Sequence, residues 1–181
     1  DEGGWLSGWQ NRKKITISNA QADAILNGFP LLLTFTDNAE IGAGVTEQTV
    51  GGDIRFTKAD GSTKLNFERE LFDYNLGNAN GAYWIKTNVN PDNRTTTDYF
   101  IYIYYGHPTA SDASNPSSVW DSNYVGVWHL GEDVEDEGSG TLDVHKDSTS
   151  NANHGDQYGN DDVAGQVSKG QDFDGDDDYA L

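Results

Sequence analysis

The sequence has no cysteine, no methionine and only four prolines in 181 residues. Without cysteine there are no disulfides, thiolate metal centres, iron–sulfur clusters or cysteine nucleophiles. The lack of both oxidisable sulfur side chains fits an exported protein. Positive charge is scarce as well: 11 Lys and Arg stand against 30 Asp and Glu, a net charge of −19. Such a chain repels phosphate backbones and anionic membranes, so nucleic acid is not an expected partner. The longest apolar cluster, Phe29 to Phe35, is far shorter than the ~20 residues that span a bilayer, so membrane insertion is not expected either. No signal peptide is seen, and Asp1 reads as the residue left after its removal, which predicts an extracellular or cell-surface location.

What is present is a turn-rich, aromatic composition. Gly, Asn, Asp, Ser and Thr are plentiful, aromatics make up 12 % of the chain, and no long helical pattern occurs. This predicts an all-β protein, an antiparallel β-sandwich of jelly-roll type. Lys14–Ile17, Phe29–Phe35, Asp53–Thr57 and Tyr83–Thr87 read as strands bounded by turn residues. Asp60-Gly61 marks a tight turn and predicts a hairpin over 53–71, with Leu65, Phe67, Arg69 and Leu71 on one face. Tyr99 to Tyr105 is apolar or aromatic at every position, which predicts a central strand with both faces buried. Residues 106–116 read as a connector, Tyr124–Leu130 as a further strand, and a boundary is expected near 118.

The last 61 residues hold 16 acidic side chains and two lysines, a net charge of −14. Oxygen ligands abound there and soft ligands are nearly absent, so calcium is the expected cofactor. Turn chemistry around Asp147, Asn151 and Asn153 can bring carboxylate and amide oxygens to one point. Asp174, Asp176 and Asp178, with Asp172, recur every second residue and on an extended strand would share a face. An EF-hand does not fit, because Gly175 occupies the fourth loop position and no Glu stands at the twelfth. The run Glu132 to Glu137 lacks the Glu, Asp, Glu spacing of laminarinase-type glycosidases, since Val134 stands where the Asp belongs; it reads as an exposed acidic loop. No Gly-x-Ser-x-Gly elbow occurs, and His107, His129, His145 and His154 lack zinc-helix spacing. Catalytic residues are therefore not expected. Trp5, Trp9, Tyr74, Tyr158 and Tyr179 are candidate exposed aromatics for sugar stacking, or plugs for a sandwich end. Trp5 and Trp9 would also suit a segment that docks into a neighbouring subunit. Asn93-Arg94-Thr95 matches a glycosylation sequon.

Val125-Gly126-Val127-Trp128-His129-Leu130, the Asp147–Gly155 turn, Gly165-Gln166-Val167 and Asp172-Phe173-Asp174-Gly175 follow one another in an order that resembles the opening of a laminin-G-like, concanavalin A-like lectin domain. The resemblance implies a jelly roll, often calcium-bound, that binds glycans or serves adhesion, and it favours the Asp147 turn as the metal site. Residues 1–118 are similar to an uncharacterised domain of unknown function that precedes such lectin-like domains in bacterial and archaeal surface proteins. The residues that carry this are Trp9, Arg12 and Ile15, Gly52–Phe56, Trp84-Ile85-Lys86 and Tyr102–Gly106. Two modules, 1–118 and a partial 119–181, are expected. The expected role is a calcium-stabilised, non-catalytic module for adhesion or carbohydrate binding, its partner a glycan or cell-surface ligand. Two other readings stay open. The strand edge at Leu181 would suit self-association, as in a filament built by strand donation, and an enzyme acting on polysaccharide, or its accessory domain, would need a carboxylate pair that converges in space.

Overall fold

The computed structural model describes residues 4–17, 23–47, 49–89, 99–132, 141–176 and 178–180. The chain divides into two compact units, residues 1–115 and 116–181. The sequon at Asn93, the run from Asp133 to Glu137 and the edge at Leu181 lie outside the described residues.

The first unit is built from β1 (Asn11–Ile17), β2 (Leu26–Asn38), α1 (Ala39–Gly44), β3 (Arg55–Thr57), β4 (Phe67–Asn75), β5 (Asn78–Val89) and β6 (Tyr99–Tyr105). They form two antiparallel sheets, ordered β1-β6-β3 and β2-β5-β4. One core joins the inner faces: Ile17, Phe56, Ile101, Ile103 and Tyr105 from the first sheet meet Phe67, Ala79, Tyr83, Ile85 and Val89 from the second. Phe56 lies edge-on to both Phe67 and Tyr83, at 5.2 and 5.3 Å between ring centres, an arrangement aromatic quadrupoles favour. The protein is thus an antiparallel all-β sandwich, as its composition predicts.

β6 is central and buried on both faces. Its inward side chains enter the core, and its outward Tyr102 and Tyr104 pack with Leu6, Trp9 and Phe100. The guanidinium of Arg12 sits 4.4 Å from the Trp5 ring and 4.2 Å from the Tyr102 ring. Each large side chain so buried contributes about 1.5–3 kcal/mol. Trp9 thus packs on its own sheet, while Trp5, 48 % exposed, lies against Arg12 and Tyr104.

The expected hairpin over 53–71 forms only in part. Around the Asp60-Gly61 turn, Lys58 N–H donates to Thr63 O and Leu65 N–H to Phe56 O. Beyond Leu65 the chain leaves β3 and enters the other sheet as β4. There the register slips between Arg69 and Leu71. The additional residue, Glu70, reverses the alternation, so Phe67, Phe72 and Tyr74 pack on the core and Leu71 does not follow Phe67. β4 and β5 are joined through Leu76 and Gly77, at φ 51° and 92°, the two positive angles that a two-residue type I′ hairpin requires. The helix, absent from the sequence reading, begins where the Asn38 side chain accepts Ile41 N–H at 2.9 Å.

The second unit contains β7 (Thr141–His145), β8 (Gly155–Tyr158), β9 (Asp161–Ala164), β10 (Lys169–Asp172) and β11 (Tyr179–Ala180). β11, β8 and β7 form one sheet, and β9 pairs with β10 in a ribbon. The strand expected over Tyr124–Leu130 is reduced to one bridge, Trp128 to Asp147. Side chains take over the role of a strand partner: Asp147 accepts Val127 N–H, and the Asn151 amide donates to Val125 O.

Candidate functional site

The Gly52–Phe56 motif holds the first sandwich together from within. Asp53 is fully buried. Its Oδ2 accepts N–H groups of Thr46, Gly106 and His107 at 2.8–3.1 Å and lies 2.8 Å from the Thr46 hydroxyl, while Oδ1 accepts Glu47 N–H at 3.3 Å. Oδ2 is thereby saturated with donors, and Oδ1 accepts one more. Arg55, two residues on, donates to the carbonyls of Gly52, Ile54 and Ser111; burial pulls its pKa down, and the charges of Asp112 and Asp53 oppose the shift. The segment read as a connector is strapped to β4. Arg69 grips Asp112 with two bonds of 2.8 and 2.7 Å, Ser114 Oγ accepts Arg69 N–H, and Asn115 N–H donates to Phe67 O.

In the second unit Asp147 plays a similar part. It is 6 % exposed. Oδ1 accepts Val127 and Thr149 N–H, and Oδ2 accepts the Thr149 hydroxyl and Asn153 N–H, all at 2.8–2.9 Å. Burial raises the Asp147 pKa, but these hydrogen bonds outweigh it and hold the group at about 2. Asn151 and Asn153 do come close to Asp147, yet each aims its amide nitrogen at Val125 O. The three residues thus form a turn fastened by donors.

Asp174, Asp176 and Asp178 are brought together differently from the expectation. They do not lie along a strand face: β10 ends at Asp172 and β11 begins at Tyr179. Between them Gly175, at φ 85°, turns the chain, Asp176 N–H donates to Asp174 Oδ1 and Asp174 N–H to Asp178 Oδ2. Carboxylates that satisfy nearby backbone N–H groups favour a turn over an extended run. Among the described residues, no group of three or more His, Cys, Asp or Glu side chains is placed to hold a metal ion.

The aromatic candidates are dispersed. Trp5 Nε1 donates to Trp9 O and Trp9 Nε1 to Asp53 O. Tyr74 packs on the core, and Tyr158 stacks on Tyr179 at 4.3 Å across β8 and β11. His129 faces the Trp120 ring at 6.0 Å, in keeping with a core or edge histidine.

A cleft that the sequence reading missed opens at one end of the first sandwich, with a volume of about 490 Å³. Ile25 and Asn27 at the start of β2 and Lys86, Thr87 and Asn88 near the end of β5 line one wall. Lys58, Leu65 and Tyr99, on the side of the β1-β6-β3 sheet, line the other. Thr87 Oγ1 and Tyr99 Oη meet at 2.8 Å across it, and Asn88 Oδ1 accepts Gly28 N–H at 2.8 Å. The Lys86 stem runs beside Gly28, where a Cβ would come within 3.2 Å of Lys86 Cε. Among the described residues, no Asp or Glu lines the cleft. Its residues come from four separate stretches of chain, so no spacing in the sequence announces it. The size falls within the range of about 300–1,000 Å³ usual for small-ligand sites.

A family model described as a domain of unknown function, DUF2341, matches residues 50–154, which takes in the Gly52–Phe56 motif, β3 to β6 and the Asp147 turn. It runs across the division between the two units at 115/116. No curated protein and no solved structure matches the chain.

Proposed function

Because the chain belongs to the DUF2341 family of domains of unknown function, its role has to be read from its own residues, and we propose that it is a non-catalytic, extracellular surface module that recognises glycans. The observation that carries this reading is the cleft of about 490 Å³ at the sandwich end, which combines amides, hydroxyls and a tyrosine with two apolar side chains. Asn27 and Asn88, Thr87 and Tyr99 supply the donors and acceptors that sugar hydroxyls need, and Ile25 and Leu65 supply an apolar patch for a ring face. A glycosidase needs two carboxyl groups flanking the bond it breaks, and the described lining contains none, which supports recognition over hydrolysis. The exported character of the composition and the lectin-like resemblance of residues 119–181 point the same way.

Titration calorimetry of the whole chain against a panel of neutral and charged oligosaccharides tests the proposal. At least one is expected to bind with a dissociation constant below about 1 mM, and Asn27→Ala with Leu65→Ala to weaken it about tenfold or more. Failure of every saccharide to bind, or binding indifferent to both substitutions, refutes it.

A further inference from the structure

The outer strands of the first sandwich are β1, β3, β2 and β4, and all but β2 are guarded against further pairing. β4 is strapped by the connector, through Asn115 N–H on Phe67 O and Arg69 N–H on Ser114 Oγ. β3 is three residues long, and the chain returning from the Asp60 turn covers it, with Leu65 N–H on Phe56 O. β1 carries Arg12, Lys13 and Lys14, charges of the kind with which edge strands resist pairing. β2 runs for 13 residues without a charged side chain from Leu26 to Thr36. Pro30 and the register breaks near its two ends interrupt it and leave Leu31 to Phe35 as an open window. Lys86 N–H donates to Asn66 O, on the β4 side of β5. A residue in an antiparallel strand turns its N–H and C=O the same way, so Pro30–Lys86, Leu32–Trp84 and Thr34–Ala82 are the non-bonded pairs between β2 and β5. The N–H and C=O groups of Leu32 and Thr34 therefore point to the free side, where they meet no partner among the described residues.

We propose that this edge pairs with the same edge of a second copy of the chain, antiparallel about a two-fold axis at Leu33. In that register Leu32 stands opposite Thr34 of the second copy, and each such pairing exchanges both of its main-chain hydrogen bonds. Pro30, which has no N–H to give, falls opposite Thr36 at the margin of the contact. Leu31, Leu33 and Phe35 lie half-buried at the rim of the core; across the axis Leu33 meets Leu33 and Leu31 meets Phe35, so each half-covered row closes the other. The two β2-β5-β4 sheets become one continuous sheet. The charge of the chain favours this strand as the contact. At −19 two copies repel each other, and an uncharged segment is where they approach at least cost. A contact limited to Leu31–Phe35 is small, so a dissociation constant of about 10–500 μM is expected, tightening as salt screens the repulsion.

Sedimentation velocity of the whole chain, from about 5 μM to about 1 mM and at low and high salt, reads the assembly. A monomer–dimer equilibrium that shifts towards dimer as salt rises is expected. Thr34→Pro removes an N–H that the sheet does not use, and Thr34→Lys keeps the backbone while adding a charge beside the axis. Each should weaken dimerisation about tenfold or more, with a melting temperature close to that of the wild type. Because the chain has no cysteine, Leu33→Cys reads the register directly. A non-bonded antiparallel pair brings its Cα atoms to about 4.5 Å, within disulfide range. Mild oxidation should therefore cross-link Leu33→Cys far faster than Leu76→Cys, a position 95 % exposed at the β4–β5 turn. A chain that stays monomeric throughout, a dimer that weakens as salt rises, a dimer that survives both Thr34 substitutions, or Leu33→Cys cross-linking no faster than Leu76→Cys overturns the proposal.

Discussion

Replacing Asp147 by Asn keeps the shape of the side chain and removes the charge at the centre of the second unit's turn. The carboxylate has four donors at 2.8–2.9 Å, and its pKa is held at about 2 against an ordinary value of 3.8. At 1.36 kcal/mol per pKa unit, that difference is worth about 2 kcal/mol of folding stability at neutral pH. Because the folded pKa is depressed, the contribution is complete above the unfolded value and disappears as pH falls from about 4 towards 2. An asparagine must turn an N–H group towards two of the same donors, so Asp147→Asn should cost at least that amount at pH 7. The protonated aspartic acid has the same defect, so the gap between the two proteins should close by about pH 2. Urea denaturation followed by tryptophan fluorescence at pH 7, 5, 3.5 and 2.5 measures it, and taking the difference cancels the titration of other carboxylates. A gap that stays constant from pH 7 to 2.5 would refute the hydrogen-bond account. Should the wild type lose comparable stability to a calcium chelator at pH 7 while Asp147→Asn does not, Asp147 is a metal ligand and the account fails in another way.

Two further outcomes follow from buried polar groups in the first unit. Asp53→Asn, which weakens the charge-assisted bonds to four backbone N–H groups, should destabilise by about 3–5 kcal/mol in thermal or urea unfolding; a loss under 1 kcal/mol contradicts its part as a buried anchor. The hydroxyl of Tyr83 is fully buried and has no hydrogen-bond partner among the described residues, and burial pushes its pKa up. Tyr83→Phe should therefore be neutral or stabilise by up to about 1–2 kcal/mol, and a clear drop in melting temperature would mean that a trapped water holds the hydroxyl.

The parts of the fold legible in the sequence are those in which burial alone decides. Tyr99 to Tyr105 reads correctly as a two-sided central strand because both its faces are covered, and Phe29–Phe35 and Tyr83–Thr87 fall inside β2 and β5. Where backbone geometry decides, pattern misleads. Local alternation gave no sign that the chain would change sheets after Leu65, or that Glu70 would be a bulge. Tyr124 to Leu130 has the composition of a strand, but Asp147 and Asn151, 20 to 27 residues away in sequence, satisfy its backbone instead. The residues proposed for metal binding were chosen for their oxygens, and in the fold those oxygens of Asp147 meet N–H and O–H groups. The cleft was hidden for the opposite reason, since its lining comes from separate stretches of chain that only the fold brings together.

The pairing of β1 with β6 bears on how the first unit would respond to mechanical load. Asn11 lies opposite Tyr105, so the chain enters and leaves that ribbon at the same end, and a pull on the two sides would peel the antiparallel bonds one after another instead of shearing them all at once. Before the ribbon is reached, however, tension must free the anchors outside it: Arg12 on Gly4 O, Asp53 on Gly106 and His107, and the paired bonds of Arg69 with Asp112. A unit wired in this order yields in stages, with charged clasps giving way before the zipper and the aromatic core opening last.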